Sequence, residues 1–179
     1  MEPAIRDATA ELAARARAGD RDAFGALVER HWAPLVRLAR SVVGDRDAED
    51  VVQDALVVAW RRLPALRQPA AFGAWVERTV LRRCLRRAAF DSRPGWLRLV
   101  SLDAAPEPAA GDGGADLQVR SLLARLAPRQ RAVMHLTVIE GRSDAEIGEL
   151  MGIAAASVRS HRRRAKQRLE ALWNGSASG

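Results

Sequence analysis

The sequence predicts an all-α protein of two small helical domains joined by a flexible linker, the second containing a helix-turn-helix. Three observations predict it. Apolar residues recur at three-and-four spacing in both halves, the period of one helix face. No stretch shows the alternation of a half-buried strand. The middle of the chain changes composition: residues 91–117 carry 2 basic and 5 acidic side chains, against 16 and 12 in residues 1–90 and 11 and 5 in residues 118–179. That middle piece also holds Pro94, Gly95, Pro106, Pro108, Gly111, Gly113 and Gly114, so it reads as an acidic linker between two basic bodies. The expected organisation is an N-terminal extension over 1–19, a first domain over 20–92, the linker over 93–116, a second domain over 117–174 and a disordered tail over 175–179. The linker has little apolar surface, so the halves should fold separately.

In the first domain, Phe24, Leu27, Val28, His31, Leu35, Leu38, Ala39 and Val42 mark one helix face. Asp20 or Asp22 is placed to cap its start, and Pro34 should kink or divide it. Gly44 and Asp45 mark a turn. A second helix is expected over about Asp47–Arg62, with Ala48, Val51, Val52, Ala55, Leu56 and Ala59 inside. Its acids Asp47, Glu49 and Asp50 sit in the first turn, where the helix dipole favours negative charge. A loop over about Leu63–Ala71 leads to a third helix, about Ala71–Ala89. Phe72 and Trp75 read as core there, and Arg78, Arg82, Arg83, Arg86 and Arg87 as the outer face.

In the second domain, Leu122, Leu123 and Leu126 form a stripe ended by Pro128, and Val133, Leu136 and Val138 belong to a helix ended by Gly141. The segment from Ser143 to Val158 has the layout of a helix-turn-helix. Ser143 and Glu146 have capping-box spacing. Ile147, Leu150 and Met151 face inward, Gly148 is small where two helices cross, and Gly152 suits a left-handed turn. On the second helix, Ser157, Arg159, Ser160, His161, Arg162, Arg163, Arg164, Lys166 and Arg168 lie together, and no acid occurs between Glu149 and Glu170. A helix in the major groove needs this chemistry: arginine for guanine edges and phosphates, hydroxyls for the backbone. Arg162 is anomalous. It falls one turn after Val158, on the apolar seam; either its stem snorkels along the core edge or the helix is rotated enough to expose it.

Composition narrows the function. The formal charge is +7 and almost all basic charge is arginine, which favours an anionic partner. Cys84 is the single cysteine, so no disulfide can form within the chain and no cysteine cluster can hold zinc. His31, His135 and His161 lack ligand spacing, and no phosphate loop or nucleophile motif is present, so neither enzyme, metal nor cofactor is expected. Absence of a signal-peptide core or a long apolar run predicts a cytoplasmic protein with no membrane segment.

Two groups of residues resemble one family. Asp47-Ala-Glu-Asp-Val-Val-Gln-Asp54 followed by Trp60, then Phe72-Gly-Ala-Trp75, resembles the second domain of sigma-70-type factors. Leu126-Ala-Pro-Arg-Gln-Arg131, Glu140-Gly-Arg-Ser143, Glu146-Ile147, Ser157-Val-Arg-Ser160 and Arg164-Ala165 resemble their fourth. This short layout is similar to the extracytoplasmic-function (ECF) subfamily, and the resemblance covers about residues 20–174. It implies a sigma factor that binds core RNA polymerase and directs promoter recognition, DNA melting and initiation, with catalysis left to the polymerase. Asp50, Gln53 and Asp54 would meet the β′ clamp helices. Leu66, Arg78, Arg82 and Arg83 would serve the minus-ten element, with Arg82 standing where the family often has asparagine. Ser157, Arg159, Ser160, Arg163 and Arg164 would read the minus-thirty-five element, and Lys166 and Arg168 would grip phosphate. The family usually has an apolar residue where Arg162 stands. Expected partners are the polymerase, including its β flap, promoter DNA and, as the family commonly has one, an anti-sigma factor; the free protein is expected to be a monomer. A stand-alone helix-turn-helix regulator is the alternative. It leaves the acidic helix without a role, and co-purification with core polymerase separates the two.

Overall fold

The computed structural model describes the backbone over residues 3–91 and 122–176 and side chains over 8–91 and 122–174. The linker at 93–116 lies outside these residues. All regular elements among the described residues are helical. They include α1 (Pro3–Arg17), α2 (Arg21–Val43), α3 (Asp45–Arg62), α4 (Phe72–Asp91), α5 (Pro128–Met134), α6 (Asp144–Met151) and α7 (Ala155–Ser176). Two short 3-10 turns, Leu63–Ala65 and Pro69–Ala71, shape the loop before α4, and a π-helical turn, His135–Ile139, extends α5.

The first body is a bundle of α1–α4. Its centre is Phe72 with Leu27, Leu38, Val52, Val76 and Val80, all essentially inaccessible to water. Each such side chain contributes about 1.5–3 kcal/mol by leaving water. Asp20, not Asp22, caps α2: the Ala23 amide donates to its Oδ1 at 3.0 Å, and Arg15 pairs with its Oδ2 at 2.8 Å. Pro34 does not divide α2, which runs unbroken to Val43. Pro34 is exposed, so water can serve the carbonyl its ring leaves without a donor. His31 lines the core as expected, its ring 5.5 Å from that of Phe72.

The helix α1 was not expected. It lies in the 1–19 extension, and Ala13 and Ala16 bury themselves against α2 and the Pro69–Ala71 turn. Small alanine faces give a weak periodic signal, yet they allow close helix approach. At the other end, α7 runs through Ser176, so the start of the expected tail continues the helix; 177–179 lie outside the described residues. Propagating a helix needs only one more backbone bond per residue.

The second body is α5–α7, centred on Val133, Leu136, Ile147, Val158 and Ala165. The capping box forms: the Ser143 hydroxyl accepts from the Glu146 amide at 3.3 Å, and the Ser143 amide donates to Glu146 Oε2 at 2.9 Å. Gly152 closes α6 at φ 69°, a left-handed conformation that favours glycine. Gly148 is where α6 meets the turn, and a Cβ there would lie 2.7 Å from the Ile153 carbonyl oxygen.

The two bodies are in contact. Helices α2 and α4 pack on α5, and α4 also packs on α6. A linker sequence tests only its own apolar content; it says nothing of complementary faces elsewhere in the chain.

Gly148→Ala forces backbone away from backbone. It should cost about 1–3 kcal/mol. The thermal midpoint should fall, whereas Gly25→Ala, where nothing lies within 4 Å of the added carbon, should leave it unchanged or raise it.

Candidate functional site

Three surfaces hold the residues singled out in the sequence. The first is on α3. Asp50, Gln53 and Asp54 are exposed on one stripe, and Val57, 51% exposed, continues it. This face is not wholly free of charge pairing. Asp54 Oδ2 accepts from Arg83 at 2.7 Å, and Asp47 Oδ1 accepts from Arg87 at 3.3 Å.

Those bonds divide the arginines of α4. Arg83 and Arg87 turn toward α3, so Arg83, expected at minus-ten DNA, is tied to the acidic stripe in this structure. Neighbouring residues on a helix point about 100° apart, so Arg82 faces another way and is exposed. Arg78, four residues earlier on the same face as Arg82, is half-buried and its Nε has no hydrogen-bond partner. Leu66 is also placed differently from the expectation of a base-facing residue. It is 9% exposed, and its carbonyl accepts from Arg17 of α1 at 3.2 Å. The helix missed in the sequence is the reason: α1 covers the loop from the side.

The third surface is α7. Ser157, Arg159, Arg163 and Arg164 are exposed and Ser160 is half-exposed. Lys166 and Arg168 are exposed; Lys166 lies about 60° around the helix from Arg163, and Arg168 about 140° the other way, nearer the buried seam. Arg162 resolves differently from both sequence alternatives. Its guanidinium forms a two-bond pair with Asp144 of α6, Nη1 to Oδ1 and Nη2 to Oδ2, the second at 3.2 Å. Sequence reasoning gave Asp144 no role, although an inward arginine calls for an anion nearby. Arg129, in the Leu126–Arg131 run at the start of α5, is exposed and close enough to His161 to act on it. Burial, with Arg129 and Arg164 adding, holds His161 below the usual imidazole range, so it is neutral at physiological pH.

Where the bodies meet, Arg142 Nη2 lies 2.7 Å from Glu77 of α4 and 2.7 Å from Glu140. His135 Nε2 is 3.3 Å from Glu140. Burial pushes the Glu77 carboxyl up from its ordinary value, and Arg142 only partly opposes this. Burial also opposes ionisation of Glu140, but His135 and Arg142 outweigh it and hold that carboxyl low. No cluster of three or more metal-binding side chains occurs among the described residues, and none of the described helices is long and apolar enough to cross a membrane.

A helical body bearing a capped, glycine-turned helix-turn-helix with an arginine-rich outer helix defines a DNA-binding transcription protein. Residues 27–93 match Sigma-70 region 2, and residues 116–169 match Sigma-70, region 4. The chain is 34% identical to the RNA polymerase sigma factor CnrH of Cupriavidus metallidurans, over 93% of this chain and 94% of that one. It is 35% identical to the ECF RNA polymerase sigma factor SigM of Mycobacterium tuberculosis, over 91% and 83%. Among solved structures, it is similar to CnrH in complex with the cytosolic domain of CnrY, with a TM-score of 0.67 and 32% identity over 94% of this chain and 98% of that one. It is also similar to the sigma factor RpoE in complex with the anti-sigma factor NepR from Bartonella quintana, with a TM-score of 0.60 and 25% identity over 84% and 96%. The chain belongs to the ECF subfamily of sigma-70 RNA polymerase sigma factors. It therefore directs promoter-specific initiation by RNA polymerase, and the region 2 match excludes a stand-alone helix-turn-helix regulator.

The charges between the bodies give an asymmetric expectation. Arg142→Ala strands the Glu77 carboxylate in a half-buried site and should cost about 1–3 kcal/mol. Glu77→Gln removes the group whose ionisation burial opposes and should cost less. Because the Glu77 carboxyl is raised in the folded state, its contribution is full below the ordinary carboxyl value and is lost as pH rises through the raised one. Thermal midpoints between pH 4 and 8 should show that component in the parent and lose it in Glu77→Gln. An Arg142→Ala protein as stable as the parent would show that the pair does not hold the bodies together.

Proposed function

We propose that the two bodies divide promoter recognition as follows. Residues 20–92, with α1 packed on them, dock core polymerase and handle the minus-ten element. Residues 117–174 read the minus-thirty-five element, and 93–116 connect them. The observation that carries this reading is the pairing of two opposite surfaces in one chain: an exposed acidic stripe on α3 and an arginine-rich outer face on α7. Asp50, Gln53 and Asp54 face the β′ clamp helices. Arg78 and Arg82 contact minus-ten DNA, Leu66 joins them once its loop moves off α1, and Arg83 is released to DNA when Asp54 takes a polymerase partner. Ser157, Arg159, Ser160, Arg163 and Arg164 read the minus-thirty-five element, and Lys166 and Arg168 hold the flanking phosphates. An apolar groove lined by Leu122, Leu123, Leu169 and Trp173 is the surface of the second body suited to the β flap. The protein acts in the cytoplasm without cofactor or catalytic group of its own, and an anti-sigma factor is a partner, as it is for RpoE of Bartonella quintana.

Promoter geometry requires the bodies to part. The two elements are centred about 25 base pairs apart, roughly 85 Å at 3.4 Å per step. A compact chain of this length has a radius of gyration of about 16 Å. The packed arrangement cannot span both elements, so contacts such as Glu77–Arg142 are broken in the promoter complex.

Asp50→Arg with Asp54→Arg reverses the sign of the α3 stripe while sparing its buried side. Core polymerase binding should fall on the order of a hundredfold or more, with helix content unchanged. Unaffected pull-down of core polymerase would remove the docking assignment. On α7, Arg163→Ala should cost about 1–3 kcal/mol and relax base preference at one minus-thirty-five position. Lys166→Ala and Arg168→Ala should instead weaken all sequences alike, each reducing the salt slope by about one unit. Transcription from randomised minus-thirty-five elements separates these outcomes; an Arg163→Ala profile identical to the parent's would leave α7 a phosphate grip only.

A further inference from the structure

We propose that Asp144 is a positioning residue for promoter reading, setting both the rotation of α7 and the presentation of Arg159. The inference rests on the reading of Arg159 as a base-edge residue and adds what holds it there. Asp144 lies in the first turn of α6, where the helix dipole favours a carboxylate. Arg162 stands on the inner side of α7, its side chain only 29% exposed. A guanidinium in that position needs an anionic partner, and Asp144 supplies both oxygens to both terminal nitrogens. A fork-to-fork pair fixes angle as well as distance. It therefore locks α7 against rotation about its own axis, a task otherwise left to an apolar side chain on the seam.

The same carboxylate reaches a second arginine. Arg159 Nη1 lies 3.9 Å from Asp144 Oδ2, while the Arg159 side chain remains 59% exposed. Residues three apart on a helix lie about 60° apart, so one carboxylate at the helix edge can serve both. Arg162 takes the two hydrogen bonds, and Arg159 feels the charge while keeping most of its donors for DNA. Two consequences follow. The long side chain loses freedom before DNA arrives, so less is lost on binding a base edge. The nearby negative charge also weakens the pull of any phosphate on Arg159. Specificity is a difference of affinities, and lowering the sequence-independent term raises it.

The test uses the full chain in holoenzyme, on promoters randomised at the minus-thirty-five element and titrated with salt. Asp144→Asn should relax base preference at the Arg159 position roughly tenfold. It should also steepen the salt dependence by about one unit, as the freed Arg159 turns to a phosphate. Arg162→Leu leaves Asp144 with Arg159 alone and should keep the preference. The double variant Asp144→Asn with Arg162→Leu leaves no unpaired charge on the seam, so it keeps the fold while losing the preference. If Asp144→Asn and the double variant retain the parent's base profile while Arg159→Ala alters it, Asp144 has no positioning role. If Arg159→Ala itself leaves the profile unchanged, base reading by Arg159 falls, and the positioning role falls with it.

Discussion

The approach of α6 to the turn before α7 is the constraint on which the DNA-reading half depends. Gly148 lets the Ile153 carbonyl come so close that a single added carbon would sit 2.7 Å from it. Gly152 reverses the chain within one residue. Together they fix where α7 starts and how far its axis stands from α6. Val158 and Ala165 then seal the seam with no exposed surface. Every outward side chain on α7 inherits its direction from that crossing. An error of one residue there would turn the whole face by about 100°.

Charge organises the rest, and it does so by partition. Arginine supplies nearly all the basic charge, but the arginines do not form one surface. Arg83 and Arg87 bridge to α3, Arg142 bridges the two bodies, and Arg162 is drawn into the helix-turn-helix. What remains outward on α7 is the set free for a polyanion. The bridges at the surface contribute little stability individually. Their weight is geometric, since each removes an arginine from the pool that DNA can use and fixes the direction of an acid. Asp54 is the clearest instance, at once part of the exposed acidic stripe and held by Arg83.

The contact between the bodies has the same character. It combines apolar packing of α2 and α4 on α5 with a small charged network around Arg142. Two acids in that network are pushed in opposite directions, Glu77 up by burial and Glu140 down by its partners.

Much of this was legible in the residues themselves. The helix faces of α2, α3 and α4, the Ser143–Glu146 capping box and the Gly152 turn are local properties, set by spacing and backbone sterics. The two family motifs likewise lie in short runs of sequence. Pro34 leaves α2 undivided, because a proline's effect depends on whether water can reach the carbonyl it strands. Helix α1 leaves little mark in the sequence, because alanine faces carry little hydrophobic contrast. The partners of Asp144, Glu77, Asp54 and Leu66 were decided only by the tertiary structure. Each is a contact between residues 18 to 65 positions apart in the chain, or, for Leu66, cover from a helix 49 positions away. Periodicity shows which side of a helix is apolar; only the packed fold decides which charge stands opposite it.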